Sequence, residues 1–165
     1  MRFTRMIGGG ARVMLLLTAM AIAAPVAFAA ELSREEYRAR VEPICKANTE
    51  ANRRIFKGAK AEVRAGELKR ASKHFTRAAD ALDKTIVQLK AVPRPTADEA
   101  RLARWIGYLE AESSLLARIG RALAREDKAK AQVHSVRLNR NSNLANNSVL
   151  GFAFEYCRID PSRFV

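Results

Sequence analysis

The sequence predicts an all-α protein, an antiparallel up-down four-helix bundle closed by one disulfide between the first helix and the C-terminal tail. Three observations lead there. After residue 30, apolar residues recur at three- and four-residue intervals along nearly the whole chain. Short breaks carrying proline, glycine or capping residues divide that pattern into four segments. The chain has two cysteines, Cys45 and Cys157, near opposite ends of the helical pattern. In an up-down bundle the last of four helices ends beside the start of the first, which is where Cys157 must lie to reach Cys45. An odd number of long helices would leave the two at opposite ends.

The chain opens on a cationic stretch, Arg2, Arg5 and Arg12, followed by an uncharged run over residues 13–28 and the small-x-small site Ala27-Phe28-Ala29. A basic start, an apolar middle and such an exit describe a secretory signal peptide over residues 1–29. Residues 30–165 are then one helical domain, long enough to bury a single core. The alternative is an uncleaved N-terminal membrane anchor, because the apolar run approaches the roughly 20 residues that span a bilayer. Pro25 interrupts it just before the exit, which favours cleavage. No cysteine precedes Cys45, so a lipid-anchoring site is missing, and so is a twin-arginine pair.

Ser33 and Glu36 make a capping box for the first helix, with Tyr37, Val41, Ile44 and Ile55 on one face. Pro43 should bend that helix or restart its first turn, and Gly58 should end it. The second helix, over 66–91, carries Leu68, Ala71, Phe75, Ala78, Leu82, Ile86 and Leu89 inward, and Pro93 and Pro95 stop it. Thr96 and Glu99 suggest a second capping box. It opens a third helix with Leu102, Trp105, Ile106, Leu109, Leu116, Ile119 and Leu123 inward. Asp127 caps a fourth, which carries Ala129, Val133, Val136 and Leu144 and ends near Gly151. Phe152, Phe154 and Tyr156 alternate in the tail, the one hint of a strand.

Export to an oxidising compartment makes a Cys45–Cys157 bridge the natural reading of two cysteines. Two buried free thiols are the alternative. No C-x-x-C pair supports redox chemistry.

Charge points outward. Thirty Lys and Arg less the three of the leader leaves 27 against 17 acids, an excess of +10 after cleavage. Such a protein meets anionic envelope components, lipid headgroups or wall polymers, while a solvated mixed-sign surface is the plainer reading. The densest stretch is 53–77, and Arg53, Arg54, Lys57 and Lys60 are its candidate anionic-surface patch. Only Phe56 and Phe75 are aromatic there, too few for a single-strand stacking platform, so no specific nucleic acid is expected. A protein partner is not legible.

Neither catalytic, cofactor nor metal residues stand out, and a non-enzymatic protein is expected. His74 and His134, 60 apart in weakly similar segments, invite a bis-histidine haem. At about 100° per residue, however, they fall roughly 80° and 125° from the centres of their apolar stripes. The acids Glu35, Glu36, Asp98, Glu99, Glu110, Glu112, Glu126 and Asp127 group at helix N-termini or on polar faces, where capping and the macrodipole account for them. One oddity is polar residues in phase with apolar ones: Asn48 on the first helix, and Arg140, Asn143 and Asn147 with Val133 and Leu144 on the fourth. Buried amides must be paired, so this candidate polar seam is either a network fixing register or the lining of a small-ligand cleft.

The run Tyr37 … Val41-Glu42-Pro43-Ile44-Cys45-Lys46-Ala47-Asn48, the Pro93-x-Pro95 break and Gly151-Phe152 … Tyr156-Cys157 resemble a group of small exported proteins of actinobacteria. These pair a helix carrying an I-C … A-N run, here Ile44-Cys45-Lys46-Ala47-Asn48, with a C-terminal aromatic-x-x-C segment. The resemblance implies an exported helical bundle with one disulfide and no particular activity. Many relatives look lipid-anchored, and this chain departs from them there.

The leader has a direct test. N-terminal sequencing of the protein recovered outside producing cells should begin at Ala30 or within a residue or two of it; intact Met1 on membrane-bound material would establish the anchor instead.

Overall fold

The computed structural model describes residues 31–159, so the leader and its cleavage site lie outside the described residues. Among those residues the protein is all-helical, with a Cys45–Cys157 disulfide whose Cα atoms are 5.0 Å apart. Helix α1 (Arg34–Ile55) starts where the capping box places it. Ser33 Oγ accepts from the Glu36 N–H, and a Glu36 carboxylate oxygen accepts from the Ser33 N–H at 2.8 Å. That backbone hydrogen bond from Ser33 is the main reason the Glu36 carboxyl is held below its ordinary pKa. Pro43 faces solvent and α1 runs through it as one helix.

A short helix α2 (Ala59–Arg64), which apolar spacing did not reveal, sits between two glycines with left-handed backbones, Gly58 at φ +90° and Gly66 at φ +78°. It packs on α3 (Leu68–Ala91). Then come a 3-10 turn, Thr96–Asp98, and α4 (Glu99–Ala124). The expected Thr96–Glu99 capping box is not formed. Asp98 occupies the cap position, and its carboxylate accepts two hydrogen bonds from the Arg34 guanidinium, one of them at 2.8 Å. Those bonds hold Asp98 below the usual carboxylate range and tie the start of α1 to the start of α4. Helix α5 (Lys128–Ser148) begins at Asp127, whose Oδ1 accepts from the Lys130 N–H at 2.9 Å.

Helix α3 packs on α4, α4 on α5, and α1 on α3. The inward residues expected on the helices over 68–91 and 99–124 are all buried. Small residues bring α3 and α4 close. At Gly120 a Cβ would lie 3.0 Å from Thr76 Oγ1 and 3.2 Å from the Ser72 carbonyl, so even alanine would push the two helices apart.

Helix α5 is turned the other way from the sequence expectation. Its buried residues are Ala131, Leu138, Ser142 and Ala145, while Val133, Val136 and Leu144 are exposed. Arg140, Asn143 and Asn147, in phase with those valines and that leucine, are exposed as well. The buried side of α5 is Ala131, Ser142 and Ala145 around one large residue, Leu138.

The tail packs against α1 and against Trp105 of α4. A 3-10 turn, Leu150–Phe152, packs on α1, and Ala153 at φ +50° redirects the chain so that Phe154 is buried as well. Phe152 meets Tyr37 edge-on at 6.1 Å and stacks on Phe154 at 5.3 Å, which in turn lies 5.5 Å from Trp105. The Glu42 carboxylate accepts from the Glu155 and Tyr156 N–H groups at 2.6 and 2.9 Å. Asn146 brackets Ile159, donating to its carbonyl and accepting from its N–H, both at 2.8 Å. The alternating aromatics therefore form a hydrogen-bonded irregular tail and no strand among the described residues.

Closing a loop of about 100 residues gives a disulfide about 4.7 kcal/mol on the chain-entropy model. A Cys45→Ser/Cys157→Ser variant should unfold at lower temperature by up to that order in free energy. It should keep its helical circular-dichroism signal at 20 °C, since the apolar faces of α3 and α4 are untouched. An unchanged melting curve on reduction would show that the other tail contacts suffice.

Candidate functional site

Three helices and the tail enclose a cavity of about 50 Å³. Each helix contributes one face by its own periodicity. Cys45, Asn48, Thr49 and Asn52 come from α1; Leu82, Thr85 and Leu89 from α3; Trp105, Leu109 and Glu112 from α4. Tyr156, Cys157, Arg158 and Ile159 make the outer wall, with Arg158 exposed and Tyr156 and Ile159 half-buried. The disulfide thus belongs to the cavity wall and fixes the tail across it.

The lining is polar in an apolar setting. Asn48 Oδ1, Asn52 Oδ1, Glu112 Oε2 and Trp105 Nε1 are all buried and have no hydrogen-bond partner. The two amide oxygens are acceptors, Trp105 Nε1 is a donor, and the Glu112 carboxyl can donate when protonated and only accepts when ionised. Thr85 is satisfied by its own helix, donating to the Ala81 carbonyl at 2.9 Å. Leaving a buried polar atom unsatisfied costs about 1–3 kcal/mol, and four such atoms gather around this one small cavity. A water needs roughly 10–15 Å³ of such space, so the cavity has room for about three small groups.

Glu112 is the centre of this chemistry. It is 3% exposed, and burial alone pushes its carboxyl up to about 8. At neutral pH the group is therefore mostly protonated, and it ionises readily only when a cation or several donors come to it.

Of the seam residues singled out in the sequence, Asn48 lines this cavity, while the exposed Arg140, Asn143 and Asn147 do not. Their place is taken by Asn52, Thr49, Thr85 and Glu112. Glu112 was expected on a polar face, and the structure buries it. The signal was present, since Glu112 falls seven residues after Trp105 and four before Leu116, within the apolar stripe. Arg53, Arg54, Lys57 and Lys60 are exposed at the end of α1, in the following turn and at the start of α2.

The two histidines have separate surroundings. His74 Nε2 is 3.0 Å from a Glu62 carboxylate oxygen, and its Nδ1 meets the Ile55 carbonyl, so it joins α1, α2 and α3. His134, half-buried on α5, is held below its ordinary pKa first by burial and then by Arg137, Arg118, Lys130 and Arg121. Among the described residues, no three His, Cys, Asp or Glu side chains come together as a metal site, and no helix is long and apolar enough to cross a membrane.

No family model matches the chain, and no match was found among the curated proteins or the solved structures.

The Glu112 carboxyl binds its proton more tightly in the fold than in the unfolded chain, where its pKa is about 4.5. The folded state is thus favoured at acid pH, and this contribution is lost as pH rises from about 4.5 to about 8. Relative to wild type, Glu112→Gln should be close to neutral at pH 5 and stabilising by on the order of 3 kcal/mol at pH 8. Urea unfolding at the two pH values measures the difference; an equal effect at both would mean that Glu112 does not titrate in this range.

Proposed function

We propose that this chain is an exported, envelope-associated, non-enzymatic binding protein, whose ligand seat is the pocket of Glu112, Asn48, Asn52 and Trp105. The observation that carries the reading is the set of unpartnered buried polar atoms around one small cavity. Their chemistry selects the ligand. Two inward amide oxygens and a carboxyl that only accepts once ionised call for a compact group rich in donors, an ammonium or a primary amide. The volume admits such a group alone, so a larger ligand would insert one end beside the tail and leave the rest outside. The pocket's chemistry favours binding over turnover: both of its cysteines are oxidised, its lining holds no histidine, and Glu112 is its one acid.

In this reading the four long helices run alternately up and down, as their short connections and the packing of α3 between α1 and α4 favour. The tail then lies along α1 and covers the pocket. A leader over residues 1–29 would deliver the protein to an oxidising compartment, which agrees with the disulfide in the pocket wall.

The single tryptophan of the chain lines the pocket and reports on it. Methylammonium and acetamide should shift Trp105 fluorescence and raise the melting temperature. The ammonium affinity should rise roughly tenfold per pH unit below pH 8 and then level, because binding takes the ionised carboxylate. Glu112→Gln should abolish that pH dependence and most of the ammonium response. No fluorescence or thermal response to either probe between pH 6 and 9 would leave the cavity as a water site and end the proposal.

A further inference from the structure

The outward face of α5 combines features that a solvated surface does not need. Val133 is 49% exposed, Val136 58% and Leu144 43%. At about 100° per residue, these three and Arg137 and Arg140 fall within an arc of roughly 100°, directly opposite the buried Leu138. Helix α5 therefore has two apolar faces, one of small residues around Leu138 inward and one of larger residues outward.

The charge beside the outer face is of one sign. No Asp or Glu occurs from residue 113 to 125 of α4, or anywhere in α5. Between the two helices runs a groove of about 330 Å³, with Leu115 and Leu144 in its walls and Arg118, Arg137 and Arg140 along it. None of these three arginines has an acidic partner among the described residues. His134, held below its ordinary pKa first by burial, is lowered further by Arg137, Arg118, Lys130 and Arg121. In the stretch over 53–77, denser in sequence, Glu62 and Glu67 both pair with Arg70 and Glu126 lies 3.8 Å from Lys69. These pairs leave Arg53, Arg54 and Lys57 untouched, but of the large apolar side chains exposed among the described residues only Val63 lies in that stretch.

We propose that the outward face of α5, with the Arg118–Arg137–Arg140 groove, docks on the surface of an anionic phospholipid bilayer. Arginines beside apolar side chains suit the boundary between headgroups and acyl chains. The guanidiniums meet phosphates there while valine and leucine enter the acyl layer. A second copy of this chain would bring like charges together, which disfavours self-association through the same face. The proposal rests on observations independent of the Glu112 pocket.

The test is vesicle co-sedimentation of the full chain at 0.1 M salt. Vesicles of phosphatidylglycerol with phosphatidylcholine are compared with phosphatidylcholine alone. All variants keep the same N-terminal segment, so pure phosphatidylcholine measures whatever that segment contributes. The full chain should partition on the order of a hundredfold more strongly onto the anionic vesicles. Arg118→Glu/Arg137→Glu/Arg140→Glu should lose most of that preference, and Val133→Ser/Val136→Ser/Leu144→Ser should lose at least tenfold. Arg53→Glu/Arg54→Glu/Lys57→Glu should stay within about threefold of wild type. If the charge-reversed protein fails to show a native circular-dichroism spectrum, the Gln series at the same three arginines replaces it. Equal loss from both arginine sets, no preference for anionic vesicles, or full binding by the serine variant would overturn the proposal. The last result would point to an acidic soluble partner instead.

Discussion

The tail, residues 150–159, is what the pocket depends on. Helix α1 packs on α3 directly, but the space around it is closed by Phe152, Phe154, Cys157 and Ile159. Four kinds of interaction hold that segment: a disulfide to Cys45, two backbone hydrogen bonds to Glu42, two to Asn146, and aromatic contacts to Tyr37 and Trp105. The Arg34 guanidinium adds a contact over the Phe152 ring at 5.5 Å while pairing with Asp98. Irregular backbone against a core must satisfy its polar groups with side chains, and Glu42 and Asn146 perform that task here. An irregular tail so held is a wall, and a wall lets a cavity stay polar inside without collapsing.

That wall explains how a carboxyl survives in the core. A buried ionised acid without a partner would cost several kcal/mol, and the group escapes by keeping its proton. Glu112 takes this route, and Asn48, Asn52 and Trp105 share its condition of having polar atoms and no protein partner. A core assembled for stability alone would place leucine at position 112, in phase with Leu109 and Leu116. The polar set lowers stability at neutral pH, which is the familiar exchange of stability for a receptive site.

The two faces of α5 differ in the size of their residues. Its buried side holds Ala131, Ser142 and Ala145 around a single large residue, Leu138, while Val133, Val136 and Leu144 lie outside. They sit outside among arginines that no acid neutralises. The Cys45–Cys157 disulfide agrees with an oxidising environment.

The sequence by itself determined the four long helices, their order, the buried stripes over 68–91 and 99–124, the cap residues Ser33 and Asp127, and the partnership of Cys45 with Cys157, but not the short helix Ala59–Arg64. These are local matters, fixed by apolar period, by side chains that bond their own backbone, and by having two cysteines to pair. Only the tertiary structure decided which face of α5 is inside. On that helix apolar and polar residues alternate around the axis, and the face of Ala131, Leu138, Ser142 and Ala145 is the one that packs inward. Only it could show that Asn48 meets Asn52 and Glu112, and not Arg140, Asn143 and Asn147, because a cavity between three helices and a tail depends on contacts far apart in the chain. The Thr96–Glu99 box did not form because Thr96–Asp98 is a 3-10 turn and α4 starts only at Glu99, with Asp98 at its cap and paired with Arg34. Glu112 stood in the apolar stripe all along, but its burial became visible only when α1 and the tail closed over it.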